Sequence, residues 1–200
     1  MRYGMVIDLR RCVGCNSCSV ACKQTNATPA GVLRTKVQID EEGKYPNTRL
    51  SFTPFLCMHC ENPECARVCP TGATQKLDNG IVTIDKDKCI GCQYCVMACP
   101  YYARTFVKKV EQYFPGQEIT AFEEANSTRH QDGVVDKCDF CIDRINTEKQ
   151  PSCVGVCAAK ARIFGDLDDP NSEVSKLIVQ RGGFQLLEAL GFSPAVYYIR

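Results

Sequence analysis

The sixteen cysteines of this 200-residue chain constrain its fold more than any other feature. They fall into four groups of four, and no cysteine is left over. Groups one and three share the spacing C-x2-C-x2-C-x3-C, whereas group two has four residues and group four has eleven between the second and third cysteines. The folded chain must therefore gather sulfur atoms at several places. The groups are Cys12, Cys15, Cys18 and Cys22; Cys57, Cys60, Cys65 and Cys69; Cys89, Cys92, Cys95 and Cys99; and Cys138, Cys141, Cys153 and Cys157.

Three kinds of cysteine chemistry compete to explain this spacing. Disulfides suit an even count in an oxidising compartment, but three cysteines in one short loop crowd too closely for good disulfide geometry. Zinc sites use two distant C-x2-C pairs, and groups one and three place a third cysteine directly after the pair. The run C-x2-C-x2-C-x3-C is the bacterial ferredoxin signature, and it occurs twice. We therefore predict four [4Fe–4S] clusters, with zinc and disulfides as alternatives.

The residue after each group indicates which groups pair. Groups two and three end in the Cys-Pro step of two-cluster ferredoxins, with Pro70 and Pro100, whereas Lys23 and Ala158 follow groups one and four. This difference favours one ferredoxin-like module, built from groups two and three, inserted between the two halves of another. Pairing of consecutive groups, one with two and three with four, is the alternative.

The spacing within a group predicts which cysteines share a cluster. The fourth cysteine follows the third by one helical turn, and in two-cluster ferredoxins it ligates the other cluster of the pair. Each cluster then takes three cysteines from one group and one from the paired group. The predicted sets are Cys12, Cys15, Cys18 and Cys157 for cluster 1; Cys22, Cys138, Cys141 and Cys153 for cluster 2; Cys57, Cys60, Cys65 and Cys99 for cluster 3; and Cys69, Cys89, Cys92 and Cys95 for cluster 4.

The fold class that follows is α+β. We predict two interleaved bacterial-type ferredoxin-like modules, each with two [4Fe–4S] clusters, together with inserted loops and a C-terminal helix and strand. The predicted domains are an outer module of residues 1–50 plus 130–170, an inner module of 51–105, an insertion of 106–129 and a C-terminal extension of 171–200.

Local patterns predict several elements of this fold. Two short runs flank Asn79-Gly80 and indicate a strand, a tight turn and a strand. Asp8 and Asp85 each precede the first cysteine of a group by four residues, which favours a turn at the end of a strand. Ser172 or its neighbour can cap a helix. Residues 194–199 are expected to form a final strand whose aromatic side chains lie in the core, with a docking edge as the alternative.

The two long connections between groups give weaker patterns. Val32–Ile39 alternates loosely and predicts a strand, and Glu41–Lys44 predicts a polar turn. Residues 100–137 hold several aromatic side chains, which we expect to pack over the clusters more readily than to form a partner surface. These aromatic residues are Tyr101, Tyr102, Phe106, Tyr113, Phe114 and Phe122.

Residues other than cysteine suggest how a cluster could be tuned. His59 lies between two cysteines of a complete group, so we expect it beside a cluster or at the surface and not as a Rieske-type ligand. Cations near a cluster offset thiolate charge and raise its reduction potential, although basic side chains also form ordinary solvated surface. The basic residues near the motifs are Arg10, Arg11, Lys23, Lys86, Lys88, Lys137, Arg144 and Lys149.

Charge, hydrophobicity and motif content exclude other functions. The formal net charge is +1, from 24 basic and 23 acidic residues, which leaves no footprint for nucleic acid. No run of 18 apolar residues is present, so no membrane span is expected, and Met1–Leu9 is too short for a signal peptide. Neither a paired nucleophile and base nor a G-x-G-x-x-G or P-loop motif is present. The chain is expected to move electrons and not to be an enzyme by itself.

The cysteine pattern and its flanking motifs resemble the iron–sulfur electron-transfer subunits of molybdopterin oxidoreductases. This family includes subunits of dimethyl sulfoxide, polysulfide, thiosulfate, tetrathionate and arsenate respiratory reductases. The resemblance covers nearly the whole chain. Besides the cysteine groups, it rests on Met5-Val6-Ile7-Asp8, Cys57-Met58-His59-Cys60-Glu61-Asn62-Pro63, Cys69-Pro70-Thr71-Gly72-Ala73, Gly165-Asp166-Leu167-Asp168-Asp169-Pro170 and Val196-Tyr197-Tyr198.

The resemblance implies four [4Fe–4S] clusters in a row and a large catalytic subunit that holds a molybdenum or tungsten bis-pterin guanine dinucleotide. It also implies, for many members, a membrane subunit that exchanges electrons with quinol. The chain would then relay single electrons in anaerobic respiration. Export with a catalytic partner that carries a twin-arginine signal implies a periplasmic or membrane-associated location, with the cytoplasm as the alternative.

Three other functions fit the same cysteines. One is the iron–sulfur subunit of a formate dehydrogenase or hydrogenase complex, in which electrons would leave the catalytic site. Another is a free-standing polyferredoxin with no fixed partner. A zinc-stapled structural module is the third, and the brown colour of iron–sulfur clusters would separate it from the others.

Overall fold

The computed structural model describes residues 1–200, and it combines short helices with small sheets, which agrees with the predicted α+β class. The strands are β1 (Tyr3–Asp8), β2 (Thr35–Lys44), β3 (Asn47–Leu56), β4 (Thr74–Lys76), β5 (Val82–Ile84), β6 (Arg104–Val107), β7 (Val134–Lys137), β8 (Arg162–Asp166) and β9 (Val196–Ile199). The helices are α1 (Ser17–Asn26), α2 (Glu64–Arg67), α3 (Tyr94–Met97), α4 (Ala121–Ala125), α5 (Ile142–Ile145), α6 (Ser152–Gly155) and α7 (Glu173–Gln180). None of these helices has the length and hydrophobicity needed to cross a membrane.

A helix holds the third cysteine of every group. The C-x3-C spacing that ends each group matches one helical turn, so the third and fourth cysteines lie near the same helix face. Only α1 is long enough to include both cysteines, because the other three helices have four residues each. The third cysteines and their helices are Cys18 in α1, Cys65 in α2, Cys95 in α3 and Cys153 in α6.

The largest sheet joins the two ends of the chain. Its central strand β1 pairs antiparallel with β8 and parallel with β9, so Met5 faces both Phe164 and Val196. The side chains of β1 from Met5 to Ile7 are fully buried. Tyr198 in β9 is buried as well, and its hydroxyl donates to the carbonyl of Pro54 at 2.8 Å. The expected C-terminal strand is therefore part of the core.

Two short hairpin-like sheets flank the cysteine groups. The predicted turn at Asn79-Gly80 is confirmed: β4 and β5 pair antiparallel around it, and the Asn79 side chain accepts a bond from the Ile81 amide at 3.1 Å. Strand β6 follows group three and pairs with β7, which leads directly into group four. This pairing places Arg104 opposite Lys137, and both side chains are buried.

The longest hairpin differs from its prediction. Strands β2 and β3 pair over ten residues, and Tyr45 and Pro46 form the tip, so the turn predicted at Glu41–Lys44 is wrong. Charged residues are depleted from strands mainly because most strands are half buried. The outer half of this hairpin is exposed, and its polar side chains therefore remain solvated within a regular ladder.

Helix α7 begins as predicted. The Ser172 hydroxyl caps it by accepting a bond from the Ser175 amide at 3.2 Å. Val174 on its inner face is fully buried against Val6 and Ile199. Gly182, in the left-handed conformation at φ 58°, follows the helix end.

Of the six aromatic residues of the second connection, one is buried, three are exposed, and Phe106 and Tyr113 are half-buried. Tyr101 is buried, and its hydroxyl donates to the carbonyl of Leu186 at 3.1 Å, as expected for packing. Tyr102, Phe114 and Phe122 are exposed, so the expectation that they pack over the clusters is wrong for these three side chains. Aromatic content alone does not indicate direction, because adjacent residues in a turn point to opposite sides.

Candidate metal centres

Each cysteine group contains a tight loop whose residue before the second cysteine has a positive φ. Gly14 and Gly91 adopt this left-handed conformation freely. At Gly91 a β-carbon would collide with the carbonyl of Gly133, so glycine is needed for close approach as well. His59 at φ 44° and Phe140 at φ 56° take the same conformation at a cost of about 1–2 kcal/mol each. All four loops therefore share one curled backbone.

Two aspartates hold the chain ahead of groups one and three. The Asp8 side chain accepts bonds from the amides of Arg10 and Arg11, at 3.0 and 3.3 Å. Asp85 does the same with the two amides before Cys89, at 3.1 and 3.3 Å. The predicted turns at strand ends are confirmed, and neither aspartate faces a cysteine through these bonds.

Three of the four cysteines predicted for cluster 1 come together from both halves of the sequence. Burial raises the pKa of Cys12, and the neighbouring thiols of Cys18 and Cys157 raise it further. The Ala161 amide donates to the sulfur of Cys157 at 3.2 Å. Cys15 is exposed, and its pKa is lowered by bonds from Ser17.

The set for cluster 2 is the most enclosed, since all four of its cysteines are buried. Burial raises the pKa of Cys22 to about 12, with further contributions from Cys153 and Cys141. Burial also raises the pKa of Cys138, and among the charged groups around this thiol Cys22 raises it most. Cys22 of group one thus lies among the cysteines of group four.

Groups two and three share the other two sets. Burial raises the pKa of Cys60 to about 12, and the thiols of Cys57, Cys65 and Cys99 add to the shift. Cys99 belongs to group three, and the other three belong to group two. The remaining four cysteines line one cavity between β5, β7 and the cysteine loops: Cys69 from group two, and Cys89, Cys92 and Cys95 from group three.

Contacts between the sets give them an order. The Cys153 thiol of set 2 lies close enough to Cys18 of set 1 for their charges to interact. Cys138 of set 2 interacts in the same way with Cys57 of set 3. One guanidinium, that of Arg104, reaches thiols of sets 3 and 4. Set 1 is therefore adjacent to set 2 and set 2 to set 3, and Arg104 connects set 3 to set 4.

The donor set suits iron–sulfur clusters. A cubane takes one thiolate for each of its four irons, and its sulfurs accept N–H bonds. No three His, Cys, Asp or Glu side chains lie close enough to share one metal ion. Backbone amides donate hydrogen bonds to several of these sulfurs. One example is the bond from the Phe140 amide to the sulfur of Cys138, at 3.4 Å. Because burial raises the pKa of the enclosed thiols, binding a cluster through them as thiolates would release protons.

His59 is buried, so of the two expected positions it occupies the one beside a cluster set. Its Nδ1 accepts a bond from the Val82 amide at 3.0 Å, which places the ring proton on Nε2. That Nε2 is buried without a partner in the protein. The ring stacks on Phe140 at 3.8 Å between centroids, and this stack lies where groups two and four meet.

The basic residues singled out in the sequence differ in their surroundings. Lys137 is buried and donates to the carbonyls of Val82 and Cys138, so it lies among the cysteines. Four others form ordinary surface: Arg10, Arg11, Lys88 and Lys149 are exposed. Lys23, Lys86 and Arg144 are half-buried.

Sequence reasoning missed three arginines that lie closer to the cysteines. Arg34, Arg104 and Arg162 are buried, and thiols contribute to the raised pKa of each guanidinium against the opposing effect of burial. Arg104 and Arg162 each lie five residues after the last cysteine of a group. That shared offset is a weak sequence signal for Arg104 and Arg162, and Arg34 has no such signal.

Comparison with known proteins places these features in a family. A 4Fe–4S dicluster domain matches residues 48–114 and 123–167, and a second 4Fe–4S dicluster domain matches residues 11–73. A putative iron–sulfur subunit of dimethyl sulfoxide reductase from Halobacterium salinarum is 44% identical over 210 residues, which cover 98% of this chain and 78% of the relative.

Two further relatives match the chain along its whole length. A subunit of the selenate reductase of Mesobacillus selenatarsenatis is 44% identical over 210 residues, covering 100% of this chain and 72% of the relative. The arsenate respiratory reductase iron–sulfur subunit of a Shewanella species is 37% identical over 226 residues, which cover 100% of this chain and 97% of the relative. The chain therefore belongs to the 4Fe–4S dicluster family that includes the iron–sulfur subunits of respiratory reductases, as its motifs predicted.

Proposed function

We propose that this chain relays single electrons through four [4Fe–4S] clusters between a molybdopterin catalytic subunit and a quinol-linked membrane subunit or soluble donor, in anaerobic respiration. The observation that carries the proposal is the unbroken line of cysteine sets. Each set has four thiols, and neighbouring sets interact through Cys18 and Cys153, then Cys138 and Cys57, then Arg104. Each bound cluster would accept and release one electron.

The proposed ligands are the four crossed sets of the sequence prediction. The placement of Cys22 beside Cys141 and Cys153, and of Cys157 beside Cys12, favours the pairing of groups one and four. The pairing of β1 with β8 supports the same interleaved arrangement, since it joins the segments on either side of that outer pair. Consecutive pairing of groups would require Cys22 to lie near group two.

The difference in exposure along the line supports a relay with two outlets. The cysteines of set 2 are all buried, whereas Cys15 of set 1 and Cys92 of set 4 are exposed. Exposed apolar side chains lie close in sequence to both outlets: Val13 and Val20 belong to group one, and Ile90 and Met97 to group three. We assign the catalytic subunit to one outlet and the second redox partner to the other, because the cysteines of set 2 are buried and no cysteine of set 3 is exposed.

The names of the relatives support the presence of a partner. Several are subunits of selenate reductase, tetrathionate reductase or sulfite dehydrogenase, and the proposal gives this chain a non-catalytic role in such a complex. The compartment would then follow the catalytic partner, with a periplasmic or membrane-associated complex as the outcome of twin-arginine export.

Anaerobic purification of the native complex tests this proposal. Mass spectrometry should identify a large pterin-binding subunit with molybdenum or tungsten, and metal analysis should give about sixteen irons for this chain. Recovery of the chain alone, with its iron intact, would support a free-standing polyferredoxin and contradict the respiratory role. A colourless, zinc-containing chain would contradict the cluster assignment itself.

A further inference from the structure

Two buried arginines occupy equivalent places in the two halves of the molecule. Arg104 follows Cys99 by five residues, and Arg162 follows Cys157 by five. The two side chains belong to residues that are only 5% and 3% exposed. Each residue begins the first strand after the last cysteine of its group, β6 for Arg104 and β8 for Arg162. The repeated position and burial indicate one shared role.

Arg104 lies between the cysteine sets of clusters 3 and 4. Its Nη2 donates to the sulfur of Cys65, in set 3, at 2.8 Å. Its guanidinium also lies close enough to the thiol of Cys95, in set 4, for their charges to interact. Nη1 donates to the hydroxyl of the buried Thr74 at 3.1 Å, which fixes the orientation of the group. One cation therefore reaches both cluster sets of the inner pair.

Arg162 has the same relation to the sets of clusters 1 and 2. Its Nη2 donates to the sulfur of Cys18, in set 1, at 3.4 Å and to the Thr35 hydroxyl at 2.9 Å. The guanidinium also lies close enough to the thiol of Cys153, in set 2, for their charges to interact. Its Nη1 is buried and has no partner in the protein. An unpartnered buried N–H is unfavourable, so this atom points to an acceptor that the chain itself does not supply.

We propose that Arg104 and Arg162 are shared counter-cations, each raising the reduction potentials of both clusters of one pair. This inference rests on the proposed function, because it assumes that the four cysteine sets hold the four clusters. Arg162 serves clusters 1 and 2, and Arg104 serves clusters 3 and 4. Both are positioning residues: they touch cysteine ligands, and they take no part in a chemical step.

The physical reason is the charge of a reduced cluster. An electron that enters a cubane adds one negative charge, and a nearby fixed cation stabilises that charge most strongly where water is excluded. Arginine keeps its proton across the accessible pH range, so the electron arrives without a proton at this residue. A guanidinium between two clusters therefore favours reduction of either cluster, and its effect does not vary with pH around neutrality.

Neutral substitution of each arginine tests the proposal by EPR-monitored redox titration of the anaerobic complex. In Arg104→Met the equilibrium constants for reduction of clusters 3 and 4 should fall about tenfold or more. For a one-electron couple this lowers each reduction potential by about 59 mV or more, while clusters 1 and 2 keep their potentials. Arg162→Met should show the reverse. Arg67→Met is the matched control, because this arginine lies between two cysteines of group two with a side chain 77% exposed.

A second pair of variants separates charge from packing. Arg104→Lys keeps the charge and should keep potentials near those of the native complex, whereas Arg104→Gln keeps polarity without charge and should resemble Arg104→Met. Equal potentials in the lysine and glutamine variants would overturn the proposal, as would a shift confined to one cluster of a pair. If the unaltered complex contains fewer than four clusters, the proposed function fails, and that result is visible before any variant is measured.

Discussion

Replacement of Arg34 by methionine should destabilise the protein more than any surface substitution. The Arg34 side chain is 7% exposed and that of Asp136 is 2% exposed. The Nε and Nη2 of Arg34 donate to the two carboxylate oxygens of Asp136 at 2.8 and 2.7 Å. Its Nη1 donates to the side-chain oxygens of Asp139 at 3.0 Å and of Asn26 at 2.9 Å. This network ties the connection after group one to the strand that leads into group four.

The magnitude follows from the charge that the substitution leaves behind. Asp136 would keep only Lys86, whose ammonium is 3.9 Å away, and removal of one partner of a buried ion pair costs about 3–5 kcal/mol. For a chain of this length, each kcal/mol lowers Tm by about 2–4 °C, so the expected fall is roughly 6–20 °C. Arg34→Met combined with Asp136→Leu should regain most of that loss, because no isolated charge remains buried.

Thermal unfolding of the cluster-loaded protein under anaerobic conditions measures these effects. Lys88→Met is the control, since it removes an exposed pair with Asp85 in which the nitrogen and oxygen are 3.0 Å apart. This control should leave Tm almost unchanged, because solvent screens exposed ion pairs. A loss in Arg34→Met no larger than that of the control, or a double variant less stable than either single one, would refute this reasoning.

Three further predictions concern ligands, hydrogen bonding and acid. Cys22→Ser should remove the EPR signal of cluster 2 and about a quarter of the iron while cluster 1 remains, and loss of cluster 1 instead would contradict the crossed pairing. His59→Phe should keep the stack on Phe140 but lower the potential of one adjacent cluster through loss of the Nε2 donor; unaltered potentials would show that this proton has no acceptor. Bonds from Arg181 and two backbone amides lower the pKa of the Asp8 carboxyl, although burial alone would raise it. The folding stability that this lowered pKa provides is therefore complete above the ordinary pKa of 3.8, and it is lost as pH falls through the lower pKa of the folded protein. The difference in Tm between the native protein and Asp8→Asn should accordingly stay constant from about pH 7 to about pH 5, and a difference that shrinks within that range would contradict the lowered pKa.

Cysteine spacing predicts much of the local structure because ligation chemistry and helix geometry impose the same periods. The C-x3-C pairs predict the short helices after each loop, and Asn79-Gly80 predicts a turn by its backbone preference alone. The two aspartates before groups one and three form the same turn, and their equal offset from the first cysteine predicts it. These features depend on neighbours within a few residues.

The buried cations could not be predicted because their partners are distant in sequence. Arg34 meets Asp136 across 102 residues, and Arg162 meets Cys18 across 144. A single arginine in or beside a strand carries no periodic signal, and most arginines are exposed. The turn predicted at Glu41–Lys44 is wrong for a related reason. The charged side chains of this segment indicate contact with solvent, and the exposed end of a two-stranded sheet provides such contact as well as a turn does.

Spin quantitation of the fully reduced complex tests the central claim most directly. Each [4Fe–4S] cluster takes up one electron, so complete anaerobic reduction should yield about four spins per chain, with broadened signals from neighbouring clusters in one line. Stepwise potentials should resolve four one-electron centres. A total near two spins, or four centres without mutual broadening, would contradict a linear relay built from four crossed cysteine sets.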